Sequence, residues 1–272
     1  MSRSTGDRYL LDDMTEIAKL TWPEARARFG PDAVALLPIG STEPHGPHLP
    51  LDSDVTIAVA QTRAAARELE GLGVRCLVLP ALPYGVTYYT DGFEGRVTLR
   101  TGTLWAVLED VVSSLEEQGL RRVVFSNAHL EPAHVKVLRG VAMDHAERTA
   151  EKAQVLFPDN TRRRWAGTLG AEFQGGDCHA GRYETSLVLA ADPAAVRAET
   201  ARGLAPVAID LLGKMKQGVR SFAQAGASEA YCGDPAAASE GEGREHFAAL
   251  ASMLVESVRE TWPDLFSAGG RR

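Results

Sequence analysis

At 272 residues the chain is long for one domain but within reach of undivided α/β folds, which bury a substantial core at this size, so a single domain spanning 1–272 is expected. A net charge of −7 with 24% charged residues leaves no basic surplus for a phosphate backbone, which argues against nucleic acid as a partner. The 44% hydrophobic content falls in runs far shorter than the roughly 20 residues of a membrane span, and MSRSTGDRYLLDDMTE lacks the apolar core of a secretion signal, so no membrane contact and a cytoplasmic location are expected.

Cys76, Cys178 and Cys232 are odd in number and widely spaced, which argues against a disulfide framework, and Cys178 reads as a packed thiol. A polar arm opens the chain. Met14 to Arg28 follows, with Ile17, Leu20 and Trp22 compatible with a short helix interrupted at Pro23. Val34 to Leu37 reads as a buried strand. Pro38, Gly40, Pro44, Gly46, Pro47 and Pro50 then predict a loop, into which the sequence places Glu43, His45, His48, Asp52 and Asp54. An Ala-rich helix is expected over 54–69, N-capped by Asp54 and ended by Gly71 and Gly73.

Arg75 to Leu79 is a second strand, leading into an aromatic loop that contains Tyr84, Tyr88 and Tyr89, which with Trp165 are candidates either to wall a pocket or to pack in the core. A helix over 103–118 would bury Trp105, Leu108, Val111, Val112 and Leu115. Strand Arg121 to Phe125 leads into Asn127, His129 and Glu131, then a helix over 133–149 and a strand from Ala153 to Phe157. The basic run Arg162-Arg163-Arg164 reads as a solvated or substrate-facing loop. Beyond Gly175, His179 and Glu184 precede the apolar run Leu187 to Ala190; the rest, with a last helix over 243–261, reads as closing structure.

Alternating strands and helices predict an α/β fold, a three-layer α/β/α sandwich with a mainly parallel central sheet. Three His/acid clusters then fall on loops expected to leave strand ends, and a parallel sheet gathers such ends on one edge. Imidazole mixed with carboxylate suits a borderline divalent metal such as zinc or manganese.

These residues also carry a resemblance. GSTEPHGPHLPLDSD resembles the signature of the creatininase family, and NAHLEP and HAGRYETS fall where that family's second and third motifs belong; YGVTYYTDGFEG and YCGDPAAAS extend the likeness over most of the chain. The resemblance implies that Glu43, His45, Asp54, His129 and Glu184 hold two divalent ions, Zn or Mn with Fe as a further option, with Asp54 bridging. It implies a catalytic acid/base or positioning role for His179, a position for Glu131 that is acidic in creatininase itself, and a homo-oligomer, expected as a hexamer. NAHLEP in place of NGHGGN, Glu94-Gly95-Arg96 in place of a PGT turn, Asp52 and Arg182 depart from many relatives near the expected pocket while sparing the ligand positions. Relatives also include a deformylase and a peptide-trimming hydrolase, so the resemblance implies the reaction class more firmly than the substrate.

Two ions about 3.5 to 4 Å apart can activate a water against an amide carbon. The expected function is therefore cleavage of a C–N bond in a small cyclic or linear amide, with His179 giving the leaving nitrogen its proton and Asn127 and His48 orienting ligands. The rival expectations are a hydrolase of a C–C or ester bond in a polar metabolite, and a metal-retaining binding or assembly subunit without turnover.

Overall fold

A computed structural model of the chain describes residues 15–146, 148–149 and 151–266, so the polar amino-terminal arm lies outside the described residues. The elements in chain order begin with α1 (Trp22–Arg28), β1 (Ala33–Ile39), α2 (Ser53–Gly71), β2 (Arg75–Val78) and α3 (Thr101–Glu117). They continue with β3 (Arg122–Asn127), α4 (Pro132–Ala146), β4 (Gln154–Leu156), α5 (Arg163–Ala166), α6 (Gly170–Gly175) and α7 (Arg182–Ala191). The last are α8 (Ala198–Gly203), α9 (Leu211–Lys216), α10 (Phe222–Ala225) and α11 (Glu240–Thr261). Among the described residues, no helix is long and apolar enough to cross a membrane.

The four strands form one parallel sheet in the order β2-β1-β3-β4. Alternation along the strands sends side chains to two cores. Val34, Leu36, Cys76, Val78 and Val124 pack under α2, α7 and α11, while Ala33, Ala35, Leu37, Leu77, Val123 and Phe125 pack under α3 and α4. Strands buried on both faces read as near-continuous apolar runs, which is why they are visible in the sequence. The three-layer α/β arrangement with a parallel sheet is thus as expected.

Five details differ from expectation. Pro23 opens α1 instead of interrupting it: it sits in the first turn, where its missing N–H has no helical partner to lose, behind Thr21, whose N–H donates to Glu24 Oε2 at 2.7 Å. β1 runs through Pro38 to Ile39, and Pro38 pairs with Ser126. The Pro38 carbonyl accepts from Leu82 N–H at 2.9 Å, so its absent N–H falls on the same side, beyond the last residue of β2, where no ladder bond is lost.

Asp52, not Asp54, is the N-cap of α2; Asp54 lies inside the first turn. On α3 the fully buried face is Leu104, Leu108, Val112 and Leu115, with Trp105 and Val111 only half-buried. The segment bearing His179 and Glu184 does not leave a strand. It enters the first turn of α7, and the apolar run Leu187 to Ala190 is helical because it packs on α2 and α11.

The α7–α11 contact requires a glycine. A Cβ at Gly243 would overlap the Ser186 carbonyl, part of the α7 main chain. Alanine would gain about 1 kcal/mol in helix propensity but force two helices apart at about 3 kcal/mol. Gly243→Ala is therefore expected to lower the unfolding free energy by about 2 kcal/mol, read from a urea midpoint at unchanged slope.

Candidate metal centre

The strand order reverses between β1 and β3, and the crevice beyond the carboxyl ends of such a pair is where open α/β sheets place ligands. β1 delivers Glu43 and His45, and β3 delivers Asn127 and His129. The loop after β1 can pass over the start of α2 because position 40 is glycine: a Cβ there would stand 2.6 Å from Val55 N. Gly46, at φ +63°, turns the chain back, and the Glu43 N–H donates to Leu51 O at 3.0 Å. Asp54 enters from the first turn of α2, where a carboxylate is favoured by the helix dipole.

The third contribution comes from the turn before α7. Ala180 adopts φ +49°, and its N–H donates to Glu184 Oε2 at 2.6 Å, fixing that carboxylate over the helix start. Glu172 braces the same turn from below, accepting the N–H groups of Tyr183 at 2.8 Å and Asp234 at 2.7 Å.

All three imidazoles are oriented alike. His45 Nδ1 lies 3.0 Å from Glu43 O, His129 Nε2 lies 2.8 Å from Val86 O, and His179 Nε2 lies 3.0 Å from Pro44 O. A carbonyl only accepts, so each of these nitrogens carries the proton and the opposite nitrogen of each neutral ring is bare. Every bare nitrogen faces carboxylates. His45 Nε2 is 3.2 Å from Asp54 Oδ1 and 3.6 Å from Glu184 Oε2. His129 Nδ1 is 3.0 Å from Asp54 Oδ2 and 3.3 Å from Glu43 Oε1. His179 Nδ1 is 3.8 Å from Glu43 Oε1 and 3.9 Å from Glu184 Oε2.

Ligand atoms converge in three groups: Glu43 with Asp54 and His129, His45 with Asp54 and Glu184, and Glu43 with His45 and His179. Asp54 belongs to the first two. Glu131 belongs to none; it lines the cavity above and accepts the Tyr89 N–H at 3.1 Å.

The electrostatics fit a cation. Burial works against charge throughout, yet the His129 imidazole holds Glu43 below the usual carboxylate range, and His45 and His129 hold Asp54 well below it. Burial together with the charges of Asp54 and Glu43 pushes Glu184 up to about 8. Burial would neutralise His45, but Asp54 overrides it and raises the ring to about 10; His129 rises well above its ordinary value beside Glu43 and Asp54. Burial and the neighbouring His45 lower His179 to about 4, and burial raises Glu131 to about 7. Glu43 and Asp54 thus draw protons onto two imidazoles while Glu184 holds its own, and Asp54 Oδ2 is left without a well-aligned hydrogen-bond donor. A cation can displace those protons, and this nitrogen–oxygen donor set, with the second nitrogen of each ring turned inward, fits divalent ions of the zinc or manganese type.

The surrounding groups sort the remaining expectations. Asn127 fixes the His129 loop, donating from Nδ2 to His129 O at 2.6 Å and accepting the His129 N–H at Oδ1 at 3.3 Å. His48 contacts Thr185 Oγ1 at 2.8 Å, next to Glu184. Tyr89 lines the cavity, whereas Tyr84 and Tyr88 point to solvent and Trp165 packs half-buried beneath Arg164. Of the basic run, Arg162 pairs with Asp159 and Arg164 with Glu256 and Glu260. Cys178 is buried with its thiol raised far above the ordinary value by burial, which suits a packed group and not a nucleophile.

Several participants escape sequence reasoning. His134 contacts Asn127 Oδ1 at 3.0 Å and accepts the Val86 N–H at Nδ1, and Thr87 donates to Glu43 Oε2. The helical spacing of His134, Val137, Leu138 and Val141 marks an inward face and could have exposed His134. Leu211, Leu212, Met215 and Phe222 wall a cavity of about 200 Å³ whose floor is the imidazole–carboxylate cluster.

Fold and site together define a three-layer α/β protein with a buried imidazole–carboxylate centre at the carboxyl edge of its sheet. Residues 18–258 match the family described as Creatininase: Creatinine amidohydrolase. The mycofactocin precursor peptide peptidase of Mycobacterium tuberculosis is 35% identical over 236 residues, covering 84% of this chain and 85% of the relative. The creatinine amidohydrolase of Pseudomonas putida is 28% identical over 202 residues, 65% of this chain and 72% of the relative. Among solved structures, a creatinine amidohydrolase superposes with a TM-score of 0.72 at 26% identity, over 92% of this chain and 98% of that one. A manganese creatininase gives 0.68 at 24%, over 92% and 99%. The chain belongs to the creatininase family of hydrolases, as its motifs imply.

Proposed function

We propose that the protein is a dinuclear metal-dependent amidohydrolase that cleaves the C–N bond of a small amide, with a linear, peptide-like substrate favoured over a cyclic one. The observation that carries this reading is the common orientation of the three imidazoles, one nitrogen of each tied to a main-chain carbonyl and the other turned toward carboxylates. Glu43, Asp54 and His129 would hold one ion and His45, Asp54 and Glu184 the other. Bound divalent ions supply Lewis acidity toward the amide carbonyl and acidify water.

The chain's own groups handle the protons. His179 is neutral near pH 7, since burial and His45 lower it to about 4, so its Nδ1 accepts a proton from the attacking water and passes it to the departing nitrogen. Pro44 O and the Phe222 ring, stacked at 4.2 Å and 13°, hold that imidazole in place. Glu131, raised to about 7 by burial, is placed at the cavity to share the proton or bind the substrate. The peptidase relatives, more similar over more of the chain than creatinine amidohydrolase, support the linear amide.

Purified chain loaded with Zn or Mn and offered a panel of amides and esters is expected to release primary amine. Acid release without amine would favour the ester or C–C reading, and binding without turnover a non-catalytic subunit. Elemental analysis should find two ions per chain. Because ions bind only the folded site, saturating metal should raise the thermal midpoint over chelator-treated protein by several degrees, at about 2.7 kcal/mol for a hundredfold excess over Kd. A homo-oligomer, hexameric by family resemblance, completes the reading; light scattering of a monodisperse monomer would remove that part.

A further inference from the structure

Residues 207–227 cover the cavity and have a core of their own. Ile209, Leu211, Phe222, Ala225 and Ala227 pack together with Cys232, apart from the two clusters on the sheet faces. Val207 and Gly233 exchange main-chain hydrogen bonds at 2.9 and 2.8 Å, and Phe222 N–H donates to Tyr89 O at 2.8 Å.

A carboxylate supplies a further anchor, beside the Tyr89 hydroxyl that donates to Val219 O. Asp177 Oδ2 accepts the N–H groups of Ile209 at 2.7 Å and Asp210 at 3.0 Å, and its Oδ1 accepts that of Leu211 at 2.7 Å. Three consecutive amides on one carboxylate fix the direction in which α9 leaves. Asp210, at φ +51°, then caps α9 by accepting the Gly213 N–H at 3.1 Å.

The direction of α9 matters because it divides two adjacent leucines. Both touch the cavity, but Leu211 is 5% exposed and feeds the cover's core, while Leu212 is 46% exposed and offers open apolar surface beside Met215 and Phe222. Leu212 lies against Gly176, where a Cβ would stand 2.5 Å from its Cδ1. An exposed leucine on the wall of a cavity with a charged floor leaves apolar surface that a ligand can cover.

We propose that this cover selects the substrate: Leu212 and Met215 bind an apolar side chain beside the scissile amide, and Asp177 is the positioning residue that sets this wall relative to His179. The proposal rests on the amidohydrolase reading above and adds the substrate class.

Calorimetric titration of the metal-loaded full chain with acetohydroxamate, 4-methylpentanohydroxamate and 3-phenylpropanohydroxamate tests it. The two larger ligands are expected to bind at least about tenfold tighter than acetohydroxamate, the scale of burying a Leu or Phe side chain. Leu212→Asp should abolish that preference. Asp177→Asn should reduce the preference in the same direction and speed hydrogen exchange at amides 209–211 at least about tenfold, since an asparagine offers one acceptor oxygen where the carboxylate offers two. Should Asp177→Asn fail to fold, Leu212→Asp and Met215→Ala carry the test of the wall. Equal affinities across the series in the unaltered chain, or an undiminished preference in Leu212→Asp, would overturn the selection role. Equal loss for all three ligands in Asp177→Asn, or unchanged exchange, would overturn the positioning role. Failure of acetohydroxamate to bind at all would instead sink the metal-centre reading and with it the ground for this proposal.

Discussion

Asp54→Ala is expected to strip the chain of nearly all bound metal while leaving it folded. Asp54 is the residue common to the group with Glu43 and His129 and the group with His45 and Glu184. Its two oxygens face different imidazoles, Oδ1 3.2 Å from His45 Nε2 and Oδ2 3.0 Å from His129 Nδ1. Groups that only orient ligands change metal affinity by roughly 10- to 100-fold, and loss of a shared ligand should exceed that at both positions. The side chain is buried but small, and water can take its place between two imidazoles. Elemental analysis after gel filtration, with circular dichroism as the check on folding, reads the result. Two ions retained per folded chain would contradict a bridging Asp54.

His179→Ala is expected to keep near-normal metal content and thermal midpoint yet lose at least about a hundredfold in kcat, the range for removing a proton-transfer group. Its Nδ1 stands 3.8 and 3.9 Å from the Glu43 and Glu184 carboxylates, farther than the contacts His45 and His129 make with Asp54. Like His129 it lines the cavity, but of these three imidazoles it is the one that stacks on a cavity wall, Phe222, and it is 11% exposed, not the open loop residue its glycine-rich setting suggests. His129→Ala should behave differently, losing metal and activity together. If His179→Ala lost metal in the same way, the residue would be a ligand. Full activity would leave proton transfer to Glu131.

The sheet was legible because β1, β2 and β3 are buried on both faces and so appear as apolar runs. The residues of the centre were legible because imidazole and carboxylate rarely crowd a proline-rich loop without a reason. Pro38 hid the end of β1, since a sequence does not say on which side of a strand the neighbour has already stopped. The seat of His179 and Glu184 on a helix start was hidden because a buried helix and a buried strand look alike over a four-residue apolar run. Asp54 reads as a cap from sequence because a carboxylate at a helix start serves a cap or a site equally well until its partners are known. Leu212, Met215 and Phe222 carried no signal. They lie in helices of six and four residues, too short for periodicity, and matter only through what Asp177 brings them against.

The sheet is complete at Leu156, yet His179 and Glu184 come from the half of the chain that adds no strand to it among the described residues. During synthesis, amino-terminal segments emerge and begin to fold first. A nascent chain could therefore order its β-layer while presenting only Glu43, His45, Asp54 and His129, an incomplete set without the turn that Glu172 and Glu184 brace. The full constellation exists only after α7 has docked between α2 and α11. Capture of a cation would then report that the last layer has closed, and a chain truncated before α7 would present the same motif-bearing loop with no finished centre to show for it.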